Sequence, residues 1–410
     1  MRVLLIHELY GSSAPSGENQ VFIAERNLLI DRGIAVGTYN IHNDVLRNAG
    51  VLGLIRGGVS APWNPFSALR IRRAAALFQA DIIHVHNSFP LISPSVFWGV
   101  RPQVARVFTL HNYRIYCPGG LPFRNIQVCT QCLERRSVWP AIRFGCYRGS
   151  RVATLSPAFS TALNRAIGTW SRKVDAFIAL SAFQRDLMVS AGLPAEKVFI
   201  KPNFFPTSPE VVPQSGRGAY VLYVGRLSTE KGLQVLIDAW RGTPQLGGFE
   251  LRVVGSGPLE AELAASVAHA GLGDVVKILG QLPSAEVYKQ ISEAKCLVIP
   301  SICFEGFPMV VREAFAYGTP VIASDIGPLP SIVVDGSNGR VFTSGSSSGL
   351  AAAVLAVMTD KELWLRLSGG ARRAFELNYA ADTNFQALLQ IYSAAREFAD
   401  ARVRMVGKRW

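Results

Sequence analysis

The sequence predicts an α/β protein with two doubly wound domains. Short apolar runs rich in β-branched residues alternate with stretches of helical periodicity in both halves of the 410-residue chain. Near-continuous apolar strands separated by helices are typical of parallel sheets that helices cover on both faces. With 49% hydrophobic and 17% charged residues, the composition indicates a globular chain and excludes a disordered or fibrous protein.

The first half has six strand candidates. They lie at residues 2–7, 34–41, 81–86, 106–111, 176–181 and 198–202. Helical stretches separate most of them, which predicts an N-terminal domain over residues 1–203. Residues 204–218 then contain three Pro, two Gly and two Ser without an apolar period, and this composition predicts a linker.

The same alternation restarts after the linker. Strand candidates lie at residues 219–224, 250–254, 275–279, 296–300, 320–323 and 340–343, and helical stretches lie at 348–359 and 361–378. They predict a second doubly wound domain over residues 219–381. Residues 382–410 are helical over about 382–406 and contain the basic residues Arg402, Arg404, Lys408 and Arg409. Because this charge resembles that of the first half, we expect the segment to return to the N-terminal domain.

Positive charge is concentrated in the first half. Residues 1–205 contain 23 Lys and Arg against 10 Asp and Glu, whereas residues 206–410 contain 19 of each. Nine Arg and a single acidic residue lie between Arg101 and Arg151. Such a segment attracts the phosphates of lipids, of a lipid-linked substrate or of nucleic acid. An ordinary solvated face is the alternative.

No apolar run approaches the roughly 18 residues that cross a bilayer. The run at residues 1–6 is too short for a signal peptide and leads into His7 and Glu8. We therefore expect a cytoplasmic protein whose membrane contact is peripheral.

The richest stretch for chemistry runs from Cys303 to Gly318, after a predicted strand. Pro308 suits the first turn of a helix and Gly318 suits a helix C-cap, so a helix of about ten residues is predicted between them. Its free N–H groups would bind an anion. Glu305 precedes the helix and Glu313 lies within it. Carboxylates that face a phosphate site are suited to bind hydroxyl groups of the same ligand. The stretch predicts a ligand with phosphate and sugar, and a surface helix with two solvated Glu is the alternative.

Two further turns have phosphate-binding character. The turn from Gly225 to Gly232 reads G-R-L-S-T-E-K-G, and its Arg226 and Lys231 are suited to converge on one pyrophosphate. The turn Gly255-Ser256-Gly257 allows the backbone to approach an anion before the next helix. Taken alone, the first turn also fits solvated ion pairs, and the second also fits a simple tight turn.

In this order the motifs resemble those of family 4 glycosyltransferases, retaining nucleotide-sugar enzymes of GT-B fold, over nearly the whole chain. The similar stretches are G-R-L-S-T-E-K-G, V-V-G-S-G-P and E-G-F-P-M-V-V-R-E-A, and the E-x7-E spacing of Glu305 and Glu313 is the most specific part. The resemblance implies two Rossmann-like domains that face a central cleft. It also implies transfer of a sugar from a nucleotide-diphosphate donor to a hydroxyl of a glycan acceptor.

The resemblance assigns roles at the donor site. Arg226 and Lys231 would hold the pyrophosphate and stabilise the charge that grows on the leaving diphosphate. Glu313 would bind the ribose, and Glu305 with the backbone of residues 306–310 would hold the sugar and distal phosphate. A front-face mechanism is usual in this family, so Glu305 has no nucleophile role. The implied donor-binding residues are Gly17, Arg226, Lys231, Gly255, Gly257, Gln281, Leu282, Glu305, Gly306, Phe307, Pro308, Met309, Val310 and Glu313, and the implied catalytic residues are Glu305, His111, Arg226 and Lys231.

Gly17 belongs to a loop from Gly11 to Gln20 that follows the first strand. The loop resembles the family's glycine-containing loop near the donor phosphate and the acceptor, and an ordinary strand-to-helix loop is the alternative. His111 ends a predicted strand, where the family places a histidine that reaches the donor sugar across the interdomain cleft.

The acceptor candidates are His86, Asn112 and Arg114. His84 shares a strand face with His86 and is expected to be a hydrogen-bonded strand residue.

Four cysteines lie within an Arg-rich insertion at residues 113–150. Cys117, Cys129, Cys132 and Cys146 have the spacing C-x11-C-x2-C-x13-C, which suits a structural zinc site. The outer cysteines are placed unlike those of a double C-x2-C ribbon, so reduced thiols and a disulfide pair are alternatives. The insertion exceeds ordinary loop length, which indicates a function.

In GT-B enzymes the N-terminal domain usually binds the acceptor, and here that domain holds the excess positive charge. We therefore expect a polyprenyl-diphosphate-linked glycan acceptor or an anionic membrane surface as partner, at the inner face of the cell membrane. The resemblance implies a pathway of bacterial surface polysaccharide assembly. The resemblance implies that catalysis requires no cofactor, and the sequence shows no convincing D-x-D metal motif that would argue against this.

Two other functions fit part of the sequence. A nucleotide-sugar epimerase or hydrolase of the same fold would share the nucleotide site and need no acceptor. A nucleic-acid-binding protein would explain the charge and leave the pyrophosphate and ribose motifs unexplained. We therefore expect no nucleic-acid partner.

Overall fold

The computed structural model describes residues 1–11 and 16–407, which form two compact α/β units. Unit 1 comprises Met1–Pro122, Cys129–Pro202 and the C-terminal segment from Asn384. Unit 2 comprises Phe123–Val128 and Asn203–Thr383.

The strands follow the predicted order along the chain. They are β1 Arg2–Leu9, β2 Ala35–His42, β3 Ile82–Asn87, β4 Ala105–Thr109, β5 Phe123–Arg124, β6 Gln127–Val128, β7 Ala176–Ala179, β8 Val198–Ile200, β9 Tyr220–Val224, β10 Glu250–Val254, β11 Val276–Gly280, β12 Cys296–Ile299, β13 Val321–Ser324 and β14 Gly339–Phe342.

The helices lie between the strands and at the C-terminal end. They are α1 Gly17–Asp31, α2 Asp44–Asn48, α3 Gly50–Ser60, α4 Pro65–Leu77, α5 Val96–Gly99, α6 Gln131–Glu134, α7 Trp139–Phe144, α8 Arg151–Ala166, α9 Ala182–Ala191, α10 Leu233–Gly242, α11 Glu260–His269, α12 Ser284–Glu293, α13 Met309–Ala316, α14 Leu329–Ile332, α15 Ser347–Thr359, α16 Lys361–Asn378 and α17 Ala381–Gly407.

Each unit is built on one parallel sheet. Within the described residues, the order in unit 1 is β2-β1-β3-β4-β7-β8 and the order in unit 2 is β11-β10-β9-β12-β13-β14. In both sheets the order reverses beside the first strand of the unit, which is the arrangement of a doubly wound fold. The predicted fold class is therefore confirmed.

All twelve predicted strands are present, with ends that differ by about two residues or fewer. β8 ends at Ile200 and not at residue 202, because Pro202 has no N–H to donate to a ladder. β4 ends at Thr109, so His111 lies in the coil that follows and not in the strand. The sequence did not indicate the short antiparallel hairpin of β5 and β6.

The sheet strands form the cores of both units. β3, β4, β7, β12 and β13 are buried along their whole length, as expected when helices cover both faces. In unit 2 the indole of Trp364 is buried and donates to the Lys295 carbonyl at 2.7 Å. Across the residues that the structure describes, no helix is both long and apolar enough to cross a membrane.

Candidate functional site

The candidate site of unit 2 lies where two loops meet at the carboxyl edge of its sheet. The loop from Gly225 to Gly232 follows β9, and the loop from Pro300 to Pro308 follows β12. β9 and β12 are neighbours where the strand order reverses, and open α/β sheets bind ligands at such a point. Lys231 Nζ lies 2.7 and 2.8 Å from the two carboxylate oxygens of Glu305. An ion pair therefore joins the two loops.

Gly232 explains how the loops approach so closely. Its φ of +72° is left-handed, and a Cβ atom there would lie 1.8 Å from the carbonyl oxygen of Pro300. Only glycine satisfies both conditions. The Ile302 N–H also donates to the Glu230 carbonyl at 3.0 Å. These backbone contacts bring the lysine and the glutamate together.

Both members of the pair are charged. Ser301 Oγ donates to Glu305 Oε1 at 2.6 Å. Burial raises the pKa of Glu305, but the Lys231 charge and the hydrogen bonds outweigh it, so the pKa lies below its usual value. Burial lowers the pKa of Lys231, but the Glu305 carboxylate outweighs it, so the pKa is raised. The site therefore offers a fixed cation and a carboxylate side by side.

The start of α13 lies directly after this pair. Pro308 occupies the N-cap position with φ −71° and ψ 107°, so it precedes the first turn and is not part of it. A proline side chain has no atom that can cap the helix N–H groups, and the N–H groups of Met309 and Val310 suit an anion. Gly318 follows the helix at φ +64°, as predicted for the C-cap region. The helix has eight residues where about ten were predicted.

Glu313 projects from the buried part of α13. Its side chain is 9% exposed, and an oxygen of its carboxylate lies 3.8 Å from Arg312 Nη2. Burial raises the pKa of Glu313, and the charge of Arg312 opposes this only in part. A buried carboxylate with so distant a cation is suited to accept hydrogen bonds from ligand hydroxyl groups.

The glycine turn after β10 packs against the loop after β9. Gly255 has φ +136°, and a Cβ atom there would lie 1.9 Å from the carbonyl oxygen of Gly225. A Cβ atom at Gly257 would lie 2.4 Å from the carbonyl oxygen of Leu227. These glycines therefore allow two turns to pack closely, and their predicted approach to an anion stays a prediction.

The remaining donor candidates of unit 2 lie around these turns. The side chain of Arg226 is exposed in the loop after β9. Gln281 accepts a hydrogen bond from Ser256 Oγ at 3.2 Å, and Leu282 follows it. The structure thus brings Lys231 onto Glu305 and leaves Arg226 open to solvent in the same loop.

In unit 1 a chain of buried polar contacts leads from His111 into the core. His111 Nε2 lies 3.1 Å from His86 Nδ1. His86 Nε2 lies 3.2 Å from Glu25 Oε1, and Glu25 Oε2 accepts a hydrogen bond from Lys201 Nζ at 2.8 Å. Lys201 Nζ also donates to Asn384 at 3.1 Å. His111 therefore lies at the end of a row of buried polar side chains that includes the Glu25–Lys201 ion pair.

The two histidines of this chain are neutral. Burial lowers the pKa of His86 to about 4, with the neighbouring His84 adding to the effect and Glu25 opposing it. Burial and then His86 hold the pKa of His111 well below its usual range. Glu25 stays ionised, because Lys201 and the nearby histidines outweigh the effect of burial and keep its pKa well below the usual value. Each neutral ring has one donor and one acceptor nitrogen, so one of His86 Nδ1 and His111 Nε2 donates to the other.

A pocket of unit 1 is lined by the three acceptor candidates together with His111. Asn112 Nδ2 donates to Glu18 Oε1 at 3.2 Å. The Arg114 guanidinium lies 4.2 Å from the ring centre of Phe89, a cation–π contact. His86, Asn112 and Arg114 therefore converge on one concave surface.

The loop before α1 is only partly described. Gly17 is the first residue of α1, and Ser12 to Pro15 lie outside the described residues, as do Lys408 and Arg409 at the other end. Asn19 Oδ1 lies 2.9 Å from His7 Nε2, which links the start of α1 to the end of β1.

Two protein-family models match this chain. The model described as "Glycosyltransferase Family 4" matches residues 41–208, and the model described as "Glycosyl transferases group 1" matches residues 205–374. The order of the two matches along the chain is that of the two units. Together they include the residues of both candidate sites, except for those before residue 41. The chain belongs to the family 4 glycosyltransferases.

Curated relatives of this family 4 glycosyltransferase include a biosynthesis glycosyltransferase for amylovoran and a 2-deoxystreptamine glucosyltransferase. The amylovoran biosynthesis glycosyltransferase AmsK of Erwinia amylovora is 30% identical over 239 residues, which is 56% of each chain. The 2-deoxystreptamine glucosyltransferase of Streptomyces kanamyceticus is 28% identical over 318 residues, or 77% of this chain and 76% of the relative. The chain spans about half the length of several curated relatives that it matches, AmsK among them.

Solved structures share the fold. HepE of Anabaena in complex with UDP superposes with a TM-score of 0.65 at 19% identity, covering 96% of this chain and 100% of HepE. At this identity the likeness shows that the family 4 glycosyltransferase has the GT-B fold.

Sequence reasoning missed three polar residues of the family 4 glycosyltransferase. Ser301 lies in the loop after β12, four residues before Glu305, in a region without a distinctive motif. Glu25 had a signal, because it falls among the apolar residues of the buried face of α1. Lys201 directly follows the apolar run of β8. A lysine that is buried beside a core strand needs an acidic partner, which here is Glu25. His84, as expected, is a hydrogen-bonded strand residue, with Thr109 at 2.7 Å and Tyr392 at 2.8 Å.

None of the four clustered cysteines is in a disulfide, so the disulfide alternative is not realised in the structure. Burial, with the neighbouring Cys132 and Cys146 adding to it, raises the pKa of Cys117 to about 12. Within the described ranges, the potential ligands that gather within 4.8 Å of one another are Glu25, His84 and His86, and not the cysteines. Since Lys201 already neutralises Glu25, we assign that group to the core. A zinc site at the cysteines stays a prediction.

Proposed function

We propose that the protein is a retaining glycosyltransferase that moves a sugar from a nucleotide-diphosphate donor to a hydroxyl of a glycan acceptor. The observation that carries this proposal is the Lys231–Glu305 pair at the switch point of the second sheet, directly before the open start of α13. A cation, free helix N–H groups and buried carboxylates together fit a ligand that is both phosphorylated and hydroxylated.

The donor is proposed to lie along these groups. Lys231 and the N–H groups of Met309 and Val310 bind the diphosphate, and Arg226 closes over it from the same loop. Glu313 accepts hydrogen bonds from ribose hydroxyls, and Glu305 accepts them from the sugar. The HepE structures with UDP and with UDP-glucose support a nucleotide-diphosphate sugar as donor.

Charge stabilisation is the main catalytic contribution in this proposal. As the bond to the diphosphate breaks, negative charge grows on the leaving oxygen, and Lys231 with Arg226 stabilises it. The Glu305 carboxylate is engaged by Lys231 and Ser301, which supports a role in holding the sugar and not in attacking it. His111 is proposed to contact the donor sugar, as the family resemblance implies.

The acceptor is proposed to be a lipid-linked glycan in bacterial surface polysaccharide assembly. AmsK, an amylovoran biosynthesis glycosyltransferase, supports the pathway class. The excess of Lys and Arg in the first half, 23 against 10 acidic residues, supports a phosphorylated acceptor at an anionic membrane. His86, Asn112 and Arg114 line the pocket proposed for the acceptor glycan.

NMR of nucleotide sugars incubated with the full chain tests the proposal. With a bacterial membrane extract as acceptor source, we expect release of one nucleoside diphosphate and transfer of its sugar to the lipid fraction with the anomeric configuration retained. Conversion of the donor without extract would instead favour the epimerase or hydrolase. If no nucleotide sugar is consumed in any mixture, the proposal is wrong.

A further inference from the structure

Helix α3 exposes large apolar side chains and buries glycines, which is the reverse of the usual arrangement in a surface helix. Its buried residues are Gly53 and Gly57. Five of its exposed residues are apolar, with exposed fractions of 58 to 75%, and they are Val51, Leu52, Leu54, Ile55 and Val59. A surface helix of a globular protein normally buries its apolar stripe. Here that stripe faces outward.

The packing beneath α3 fixes this orientation. A Cβ atom at Gly53 would lie 1.9 Å from the carbonyl oxygen of Leu46, and one at Gly57 would lie 3.1 Å from Leu46 Cδ1. The inner face therefore has no room for a side chain at Gly53 and little room for one at Gly57. Because the backbone itself makes the contact, the helix cannot rotate to bury its large side chains.

Helix α8 extends the apolar surface. Val152, Leu155 and Phe159 are 78, 51 and 60% exposed, and their spacing of three and four residues places them on one stripe. Ser156 Oγ donates to the Gly58 carbonyl at 2.6 Å, and Ser160 Oγ donates to the Ala61 carbonyl at 2.9 Å. These bonds hold α8 beside α3, so the two stripes are neighbours. We call the exposed apolar residues of α3 and α8 the α3–α8 face.

The two stretches of sequence that contain α3 and α8 are basic, and the acidic residues Asp44 and Glu134 lie just outside them. Residues 45–80 and 135–174 contain 13 Lys and Arg and neither Asp nor Glu. Arg56 lies on α3, Arg151 begins α8, and Arg148 precedes it, and all three are exposed. A contiguous exposed apolar surface indicates a binding site for another molecule or a membrane. The positive charge around it favours an anionic partner. A second copy of the chain would bring the same positive charge to the contact.

We propose that the α3–α8 face docks onto an anionic membrane, with its Val, Leu, Ile and Phe side chains entering the boundary between headgroups and acyl chains and its arginines binding lipid phosphates. Apolar insertion combined with basic side chains is how interfacial helices bind membranes. The inference rests on the proposed function only because a lipid-linked acceptor gives the docking a purpose. Docking itself needs no donor.

Co-sedimentation of the full chain with vesicles tests the docking. One set of vesicles contains phosphatidylcholine alone, and the other contains phosphatidylcholine with phosphatidylglycerol. We expect binding to the second set and at least tenfold weaker binding to the first. The double variant Leu52→Ser/Ile55→Ser should lose at least tenfold in affinity for the anionic vesicles at physiological salt.

A matched control separates this loss from a general effect of polar substitution. Leu377 in α16 of unit 2 is 70% exposed, similar to Leu52, and Leu377→Ser should bind vesicles like the wild type. Since all substituted side chains are exposed, the thermal midpoints should agree. Arg148→Ala/Arg151→Ala should also weaken binding and reduce its dependence on salt.

Three results would overturn the proposal. The first is wild-type protein that ignores anionic vesicles, and the second is unchanged binding by the serine variant, which would mean a purely electrostatic contact. The third is a wild-type dimer that the serine variant converts to monomer, which would make the face a self-association surface. Nucleotide binding measured on the same variants without vesicles tests the donor site separately, so failure of docking and failure of the proposed function are distinguishable.

Discussion

Lys231 and Glu305 depend on each other for their charges. Each is buried enough for its pKa to shift towards the neutral form, and each is kept charged by the other. A site built in this way keeps a cation ready for the diphosphate that we propose it binds. Removing either partner should therefore change the titration of the one that remains.

Glu305→Gln should make nucleotide binding more sensitive to alkaline pH. Without the carboxylate, burial is left to lower the pKa of Lys231, so its charge and the affinity for a nucleoside diphosphate are lost at lower pH than in the wild type. Titration of nucleotide at several pH values between 6 and 10 measures this. Glu260→Gln, an exposed glutamate at the start of α11, should keep the wild-type profile. Identical profiles for Glu305→Gln and wild type would contradict the pairing.

Glu8 makes a different pH prediction. Burial raises its pKa to about 8, against two backbone N–H groups, Leu91 and Ile92, that hydrogen-bond to Oε2. Because the folded state holds this proton and the unfolded state releases it above about pH 4.5, the contribution of Glu8 to stability should fall as the pH rises from about 4.5 to about 8. Glu8→Gln should remove that part of the pH dependence in urea unfolding at pH 5.5 and 8.5. A pH dependence equal to that of the wild type would show that Glu8 does not titrate in this range.

At the scale of elements, glycines set the distances between loops. Gly232 lets the loop after β9 touch the loop after β12, and Gly255 lets the turn after β10 touch the loop after β9. The chemistry of the site therefore depends on backbone contacts as much as on the side chains that carry the charges.

Gly232→Ala should weaken nucleotide binding as well as stability. The left-handed conformation alone costs about 1–2 kcal/mol, and the clash with Pro300 forces the loop of Lys231 to move. Gly271→Ala is the matched control, because Gly271 has φ +67° with nothing within 4 Å of its Cβ position. We expect the control to lose stability only, as measured by urea unfolding and nucleotide titration. Equal effects of the two variants on affinity would mean that the close contact does not position Lys231.

The Glu25–Lys201 pair joins α1 to the end of β8. Breaking a buried pair by removing one partner costs about 3–5 kcal/mol, because it leaves an uncompensated charge. Lys201→Met and Glu25→Gln should each destabilise unit 1 by this order. The double variant should lose less than the sum, as measured by urea unfolding. Additive losses would contradict the pairing and the support that it gives to His86 and His111.

At the scale of the whole molecule, the sequence predicted what local patterns control. Strand positions follow from short apolar runs, and the site of unit 2 follows from E-x7-E and G-R-L-S-T-E-K-G, whose residues are close in sequence to the strands that hold them. The Glu25–Lys201 pair could not be predicted in the same way, because its members are 176 residues apart. The outward stripe of α3 was hidden too, since periodicity identifies an apolar face and does not say whether that face is buried. The contacts of Gly255 and Gly257 could not be predicted either, because they are made with a separate segment of the chain that only the fold brings close.

Lys231 is proposed to bind the diphosphate of a nucleotide. Calorimetric titration of UDP, GDP and ADP into wild type, Lys231→Ala and Lys277→Ala tests it directly, since Lys277 is a half-buried lysine elsewhere in unit 2 that contacts the carbonyl of Gly273. A charged hydrogen bond contributes about 1.5–3 kcal/mol. We therefore expect one nucleotide to bind wild type and Lys277→Ala alike and to bind Lys231→Ala at least about tenfold more weakly. Equal affinity for all three proteins, or no nucleotide binding to the wild type, would contradict it.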